Sequence, residues 1–369
     1  MSTQTLKTQT KYNAGIDLLR IVAMFMVVTL HVAGAGGVLS NTTGIKSTLC
    51  WLVEIAAYGA VNIYALISGY VSYREDDSVY SFGKYIFIWS QVVFYSVVIF
   101  AAFTVTGLHQ FNLTDLIHSV IPATMNKYWY FTAYTGVFFI IPWLNKVIKH
   151  LSFKDSTTMV VVLLTIFSFY TSAANLISDP FAVTGGYSLV WIAVLYLVGA
   201  WIKKHNIPAK LSTAKWLVTA VAAILFTWLW HTVVPDGYGR YLFVSYISPT
   251  VVIYSIALIC AFSRFNIADK SRNIIKFFAP ATFAVYIIHT NWILSKRCIK
   301  QQFIWIADMP AAAIPFMVLL CAAAVLIICM MIEKVRTYLF KVLKINFILT
   351  KIQALIDFII SRIFSYIPE

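Results

Sequence analysis

The chain has 369 residues, of which 60% are hydrophobic and only 11% are charged. Soluble domains carry about 25% charged residues, and the mean hydropathy of +0.81 is also too high for one. These values exclude a soluble two-domain enzyme, a disordered chain and a secreted disulfide scaffold. They also argue against a nucleic-acid-binding protein, despite the net charge of +14. The composition predicts an all-α polytopic membrane protein.

Ten apolar runs are long enough to cross a bilayer, which takes about 20 predominantly apolar residues. They cover 14–36, 49–72, 85–108, 128–148, 157–178, 181–202, 213–234, 241–263, 276–296 and 311–332. The first run is too long for the core of a signal peptide and contains Arg20, so we expect an uncleaved first span. The ten spans are predicted to form one membrane domain, residues 1–336.

The Lys and Arg residues predict the orientation of the spans, because these residues are enriched in cytoplasmic loops. With the N-terminus in the cytoplasm, 21 of the 28 basic residues fall on that side and 6 on the other. Arg20 is the remaining one and lies inside the first span. Both termini are therefore predicted to be cytoplasmic, in a multi-pass protein of the plasma membrane.

The C-terminal segment, residues 337–369, has a different pattern from the spans. Between 345 and 363, Ile and Leu recur on one helical face, and polar residues such as Asn346, Gln353 and Asp357 lie on the other. This pattern predicts an amphipathic helix that lies on the inner leaflet and contacts lipid. We expect it to anchor the chain rather than to take part in chemistry.

Five cysteines and seven histidines offer no metal site. The cysteines are widely spaced and form no CxxC pair, so we predict neither a disulfide framework nor a thiolate site. His109 and His118 lie in a loop with Asp115, but no ligand spacing supports a metal there. No metal ion is therefore predicted.

Few titratable residues interrupt the apolar runs. Such residues are costly inside a membrane, usually face the interior of the bundle and often mark function. They are Asp17, Arg20, His31, Glu54, His231 and His289. Asp17 and Arg20 are three residues apart, a spacing that allows a structural ion pair. His31 follows Arg20 by eleven residues, which returns to within about 20° of the same helical direction.

The predicted orientation sorts the polar and aromatic residues into two depths. The outer group is His31, Glu54, Tyr128, Trp129, Tyr130 and His289, and the inner group is Arg20, Ser68, Gly69, Tyr70 and Arg74. This distribution indicates an anionic ligand that enters from the cytoplasm and chemistry farther out. Two alternatives stay open, because aromatic clusters also form interfacial belts and a buried histidine also serves in packing.

Four segments together resemble the membrane acyltransferase-3 family. Arg20 and His31 match its Arg-x10-His signature, residues 61–70 match its Ser-Gly-Tyr segment, residues 128–145 its fourth span, and residues 284–289 its Tyr-x-x-His motif. The resemblance extends over most of residues 12–295. It implies a ten-span bacterial O-acyltransferase of the stand-alone type, without a fused esterase-like domain, acting on capsule or exopolysaccharide.

The resemblance also implies roles for the residues at both depths. The donor is acetyl-CoA and the acceptor is a sugar hydroxyl. Arg20, Arg74 and Lys84 are expected to meet the donor's phosphates, with Ser68, Gly69 and Tyr70 beside its pantetheine. His31, with an ordinary pKa of about 6.5, is expected to deprotonate the hydroxyl. Glu54 either orients His31 or binds the sugar, the aromatic cluster stacks on sugar rings, and His289 is a second candidate histidine.

Other functions remain open at this point. An acyl group carried on a protein residue is a variant of the same chemistry. A transporter or flippase also places charges within its spans, although such proteins commonly contain internal repeats and none is visible here. A membrane scaffold or sensor is a third possibility.

Overall fold

The computed structural model describes residues 12–75, 80–175 and 177–366, and the regular structure in these ranges is helical throughout. The N-terminal tail with Lys7 and Lys11, for which we predicted a cytoplasmic position, lies outside the described residues.

The helices fall into two halves along the chain. The first half contains α1 (Ala14–Leu30), α2 (Gly44–Ala57), α3 (Ala60–Ser72), α4 (Tyr85–Val105), α5 (Leu113–Val120), α6 (Trp129–His150), α7 (Phe153–Leu164) and α8 (Thr171–Ala174). The second half contains α9 (Leu189–Lys204), α10 (Thr213–Val233), α11 (Pro249–Phe262), α12 (Asp269–Phe278), α13 (Thr282–His289), α14 (Trp292–Cys298), α15 (Ala313–Val342) and α16 (Ile345–Ser365).

Seven helical segments in the described part of the chain are long and apolar enough to cross a membrane, or eight if a bent helix pair is one span. The seven correspond to every predicted span except the sixth, eighth and ninth. In those three places α9 has only 16 residues, α11 has 14, and the helix ending at His289 meets α14 at a bend of 79°. A count of ten spans therefore stays a prediction.

Irregular chain precedes the helix in both the sixth and the eighth predicted span. The Asp179 carboxylate accepts hydrogen bonds from two following backbone amides, at 2.5 and 3.0 Å, which holds the chain in a turn. Pro249 lies in the first turn of α11, where its missing N–H costs no helical hydrogen bond. The two irregular stretches contain Tyr187 and Tyr246, which consequently lie outside any helix.

Helix α1 lies at the centre of the bundle. It contacts α2, α3, α11, α12, α13 and α15. In the apolar stretch of the span that begins with α1, 61% of the residues are buried within the protein, whereas in that of α10 the share is 17%. A helix surrounded by other helices rather than by lipid can carry polar side chains, because they face protein partners.

Helices α3 and α9 cross at very short range. A Cβ atom added to Gly69 would lie 1.9 Å from the Tyr196 carbonyl oxygen, and one added to Gly199 would lie 2.1 Å from the Leu66 carbonyl oxygen. Small residues permit this close approach of helix backbones in membranes. Helix α9 thus fills the space that the missing side chain of Gly69 leaves. The predicted contact of Gly69 with the donor's pantetheine stays a prediction.

The last two helices meet at a sharp break. Helix α15 continues past the boundary predicted at residue 336 and ends at Val342. Lys344 then adopts a positive φ of 55° before α16 begins. Several apolar side chains of α16, among them Leu355 at 57% and Ile363 at 57%, remain exposed. The location of α16 on the inner leaflet stays a prediction.

Candidate active site

His31 stands where the first helix changes geometry. A five-residue π-helical segment, His31–Ala35, follows α1 directly. Its end is held from outside, because the backbone amides of Gln301 and Phe303 donate to the carbonyl oxygens of Ala35 and Gly36, both at 3.0 Å. Single π turns occur frequently at functional sites. Here the π segment fixes the backbone immediately after the histidine.

His31 and His289 form a hydrogen-bonded pair. Nδ1 of His31 lies 2.8 Å from the Val27 carbonyl oxygen and 3.2 Å from Nε2 of His289. Nδ1 of His289 lies 2.5 Å from the Val285 carbonyl oxygen. A carbonyl oxygen only accepts, so each Nδ1 carries the proton. The His31 Nδ1–H is shared between Val27 and His289, so Nε2 is the nitrogen that accepts a proton when the His31 ring is neutral.

A cavity of about 320 Å³ lies beside this pair, and we call it the aromatic cavity. Its lining combines His31, Lys127 and Thr290 with the rings of Tyr64, Tyr128, Trp129, Tyr130, Tyr187, Tyr246, Phe283 and Tyr286. The three aromatic residues predicted at 128–130 all line it. These three side chains therefore line an internal cavity, which a role in an interfacial aromatic belt alone does not require.

Hydrogen bonds hold the rings of this cavity in place. The Tyr128 hydroxyl accepts from the Asn291 side-chain amide at 2.9 Å and lies 3.2 Å from Oγ of Ser96. The backbone amide of Tyr130 donates to the Tyr286 hydroxyl at 3.3 Å. The cavity wall is therefore a connected network rather than a loose cluster of rings.

Asn62 fixes the part of the wall that comes from irregular chain. Its Nδ2 donates to the Tyr246 carbonyl oxygen at 2.7 Å, and its Oδ1 accepts from Nε1 of Trp191 at 3.0 Å. Trp129 lies against the same part, with its ring centroid 4.5 Å from that of Tyr187 and 6.2 Å from that of Tyr246. A fully buried amide with both ends bonded in this way orders the tyrosines.

A second cavity of about 610 Å³ lies farther along α6, and we call it the basic cleft. Four basic side chains line it: Arg74, Lys84, Lys146 and Lys149. Among the lining residues that the structure describes there is no carboxylate. The structure thus brings together Arg74 and Lys84, both predicted from the sequence, and adds two lysines from α6.

Two stacked tyrosines separate the two cavities. Tyr130 lines the aromatic cavity, and Tyr134, one helical turn later, lines the basic cleft. Their rings are nearly parallel, with an interplanar angle of 7° and centroids 6.3 Å apart. Ser68 hydrogen-bonds to the Tyr134 side chain, and the charge of Arg20 acts on Tyr134 electrostatically. One helix, α6, therefore contributes a wall to each cavity and the boundary between them.

Arg20 forms the ion pair that its spacing from Asp17 predicts, with NH1 2.6 Å from the Asp17 carboxylate. The backbone carbonyl of Arg20 also accepts from the Tyr64 hydroxyl at 2.8 Å. Arg20 is not among the lining residues of the basic cleft. Its predicted contact with donor phosphates stays a prediction, and the Tyr64 ring that bonds to its carbonyl lines the aromatic cavity.

The segment from Ser68 to Tyr70 lies next to the basic cleft without lining it. Gly69 packs on α9. Nζ of Lys203 lies 5.0 Å from the centroid of the Tyr70 ring. Ser72, one turn farther along, does line the cleft and accepts through its backbone carbonyl from the Asn145 amide at 3.1 Å.

Glu54 is buried behind the π segment, with 6% exposure. Its Oε1 lies 3.4 Å from the point where a Cβ of Gly34 would be. Its Oε2 has no hydrogen-bond partner among the described residues. The bonded partners of the His31 ring are Val27 and His289, so Glu54 does not orient His31 by direct contact.

Sequence reasoning missed several residues of the site. The main omissions are Asn62, Asn145, Tyr187, Tyr246, Lys146, Lys149 and Asn291. A usable signal exists for the asparagines, since amides inside apolar runs bond across helices. No signal marks the two tyrosines, because they stand in runs that hydropathy alone assigns to helices.

Comparison with known proteins gives one positive result. No curated protein and no solved structure matches the chain. A family model described as an acyltransferase domain matches residues 13–333, which include both cavities and the histidine pair. The chain belongs to the acyltransferase-3 family.

Proposed function

We propose that the protein is a bacterial plasma-membrane O-acetyltransferase. In this proposal it moves an acetyl group from cytoplasmic acetyl-CoA to a hydroxyl of an extracytoplasmic or lipid-linked glycan of the capsule or exopolysaccharide type. Membership of the acyltransferase-3 family supports acyl transfer. The observation that carries the proposal is that His31 lines the aromatic cavity with Nδ1 bonded to the Val27 carbonyl oxygen, an arrangement that leaves Nε2 of the neutral ring to accept a proton.

The aromatic cavity suits a sugar acceptor. Its volume of about 320 Å³ is in the range of small-molecule sites, about 300–1,000 Å³. Aromatic rings offer flat apolar surfaces to the C–H faces of a sugar ring, and tyrosine hydroxyls offer hydrogen bonds to its hydroxyl groups. Lys127 is the one fixed cation among the described lining residues. These features favour a largely neutral ligand.

The basic cleft suits the donor. Coenzyme A carries several phosphate charges, and charge-assisted hydrogen bonds from Arg and Lys are the strongest contacts available to phosphate. Arg74, Lys84, Lys146 and Lys149 line the cleft. The pantetheine arm then extends toward Tyr134 and the boundary of the aromatic cavity, which brings the thioester near the acceptor.

The reaction needs one proton acceptor and no redox partner. Nε2 of His31 takes the proton of the acceptor hydroxyl while the hydroxyl oxygen forms a bond to the thioester carbonyl carbon. The tetrahedral intermediate collapses, the C–S bond breaks, and the CoA sulfur takes the proton back from the imidazolium. His289, whose Nε2 accepts from Nδ1–H of His31 at 3.2 Å, stabilises the imidazolium form.

Deletion of the gene tests the proposal in the cell. The surface polysaccharide of the deletion strain is expected to lose an O-acetyl signal in its proton NMR spectrum, and the intact gene is expected to restore it. A polysaccharide with unchanged acetylation would contradict the acceptor assignment. Release of free CoA by purified protein separates this function from transport, because a transporter or flippase leaves acetyl-CoA intact.

A further inference from the structure

A third cavity, which we call the α16 groove, lies between the C-terminal helix and α6. Its volume is about 560 Å³. The lining residues are Tyr80, Ser81, Phe82, Pro142, Trp143, Lys146, Asp357, Ile360, Ser361 and Phe364. Four of them, Tyr80, Ser81, Pro142 and Lys146, also line the basic cleft. The two cavities are therefore adjacent and share part of their walls.

Helix α16 is bonded to the rim of the basic cleft. Both carboxylate oxygens of Asp357 accept hydrogen bonds, from the Ser81 hydroxyl at 2.6 Å and from the Gly83 amide at 2.8 Å. The Gln353 side chain donates to the Ser81 hydroxyl at 2.9 Å. Lys84 belongs to the same short turn. The turn that carries Lys84 is thus bonded to α16.

Aromatic rings cover the far side of the groove. The Phe82 ring centroid lies 6.5 Å from that of Trp143 and 6.2 Å from that of Phe364. Trp143 is 51% exposed and Phe364 is 46% exposed, so both present ring surface. Lys146 stands at the edge shared with the basic cleft.

This combination matches the chemistry of a phosphorylated nucleotide. Aromatic rings bind nucleobases by stacking, whatever the base, and adjacent cations bind phosphate. A lipid-facing aromatic belt requires neither a wall shared with the basic cleft nor the bonded Asp357.

We propose that α16 forms a wall of the donor site and that the α16 groove binds the nucleotide end of the acyl donor. The base lies against Phe82, Trp143 and Phe364, and its phosphates contact Lys146 and Lys84. Asp357 is a positioning residue that acts through the turn of Lys84. The inference rests on the proposed function and gives the C-terminal helix a role beyond lipid anchoring.

Comparison of two donors tests this proposal. S-acetyl-4′-phosphopantetheine carries the same thioester as acetyl-CoA and lacks the nucleotide. Phe364→Ala is expected to lower kcat/KM for acetyl-CoA about 5- to 20-fold, as the loss of a stacking ring does, and to leave kcat/KM for the truncated donor unchanged. Trp143→Ala, on a different helix, is expected to show the same selectivity.

Phe358→Ala is the matched control on the same helix. Phe358 is 56% exposed, packs with Arg362 and does not line the groove, so neither donor is expected to be affected. Asp357→Asn is expected to raise KM for acetyl-CoA with kcat retained, and Asp357→Glu to restore part of the loss.

Three results separate the possible failures. Equal losses for both donors in Phe364→Ala and Trp143→Ala would overturn the proposal and leave α16 as a structural or lipid-binding helix. A wild-type protein with no preference for acetyl-CoA over the truncated donor would also overturn it. A wild-type protein that releases free thiol from neither donor would contradict the proposed function itself.

Discussion

The aromatic cavity and the basic cleft share one helix and differ in almost every chemical property. Tyr130 and Tyr134 on α6 are one turn apart and stack across the boundary. The aromatic cavity is lined by His31 and one lysine, whereas the cleft is lined by four basic side chains and, among its described residues, no carboxylate. In the proposed function, a neutral acceptor binds in the first site and an anionic donor in the second, so substitutions in the two sites are expected to change different kinetic constants.

The largest effect is expected at the base of the aromatic cavity. His31→Ala removes the proton acceptor and is expected to lower kcat by about 10²- to 10⁴-fold, the usual contribution of general base catalysis. The KM for acetyl-CoA is expected to change little, because His31 does not line the basic cleft. Steady-state release of CoA by purified protein measures both constants.

His231→Ala is the control for this substitution. His231 is also buried in a span, with 1% exposure, but it packs against Trp51 with ring centroids 4.2 Å apart and lies outside the aromatic cavity. Its turnover per folded protein is expected to match the wild type. Equal losses in the two variants would remove the distinction between a reacting histidine and a packing histidine.

A smaller fall in kcat is expected when the second histidine, His289, is replaced. His289→Ala removes the acceptor of the His31 Nδ1–H, a bond that strengthens when His31 becomes charged. Hydrogen bonds to charged groups contribute about 1.5–3 kcal/mol, which corresponds to a fall in kcat of about 10- to 100-fold. A His289→Ala enzyme with the wild-type kcat would show that the pair serves packing alone.

In the basic cleft we expect a change in donor affinity rather than in turnover. The double substitution Lys84→Ala and Lys146→Ala is expected to raise KM for acetyl-CoA about tenfold, through the loss of two charge-assisted phosphate contacts. The effect is expected to shrink as salt rises, because salt screens exposed charges.

Lys154→Ala provides the matched control for the cleft. Lys154 is exposed and does not line the cleft. It is expected to leave KM for acetyl-CoA at the wild-type value at every salt concentration. A double variant whose loss is in kcat, with no change in KM, would contradict the assignment of donor binding to the cleft.

The smallest effect is expected at the stacking surface of the aromatic cavity. Trp129→Ala is expected to raise KM for the glycan acceptor about 2- to 10-fold, in line with the worth of one aromatic contact, while KM for acetyl-CoA stays unchanged. Trp129→Phe is expected to restore most of the loss. Acceptor titrations at saturating acetyl-CoA measure the difference, and a change in donor KM alone would reverse the assignment of the two sites.

Much of the candidate site can be predicted from the sequence because it depends on depth and on spacing along one helix. Arg20 and His31 are placed by the period of α1, and the Asp17–Arg20 pair follows from the spacing of three residues. The depth shared by His31 and His289 follows from counting spans. Their direct contact does not, since it depends on how α13 is rotated against α1.

Other parts of the site depend on tertiary contacts that the sequence does not specify. Tyr187 and Tyr246 line the aromatic cavity from the irregular chain that precedes α9 and α11, whereas mean hydropathy registers only an apolar run at these positions. From the sequence, the missing side chain of Gly69 leaves room for a ligand, but in the structure α9 fills that space.

The C-terminal helix α16 also makes tertiary contacts that its sequence pattern does not predict. Its apolar face predicts a lipid contact from periodicity alone. Asp357 and Gln353 belong to the polar face, where a sequence pattern indicates only exposure to water. The structure instead bonds both side chains to Ser81, more than 270 positions earlier in the chain.

The most direct test of the account measures both products of one reaction. Detergent-purified protein is incubated with acetyl-CoA and with polysaccharide isolated from the deletion strain, and free CoA and polysaccharide O-acetyl groups are quantified together. The wild type is expected to form them in equal amounts, and His31→Ala to form neither above background. Free CoA without O-acetyl groups, or equal product formation by His31→Ala, would contradict acetyl transfer by His31 between the two cavities.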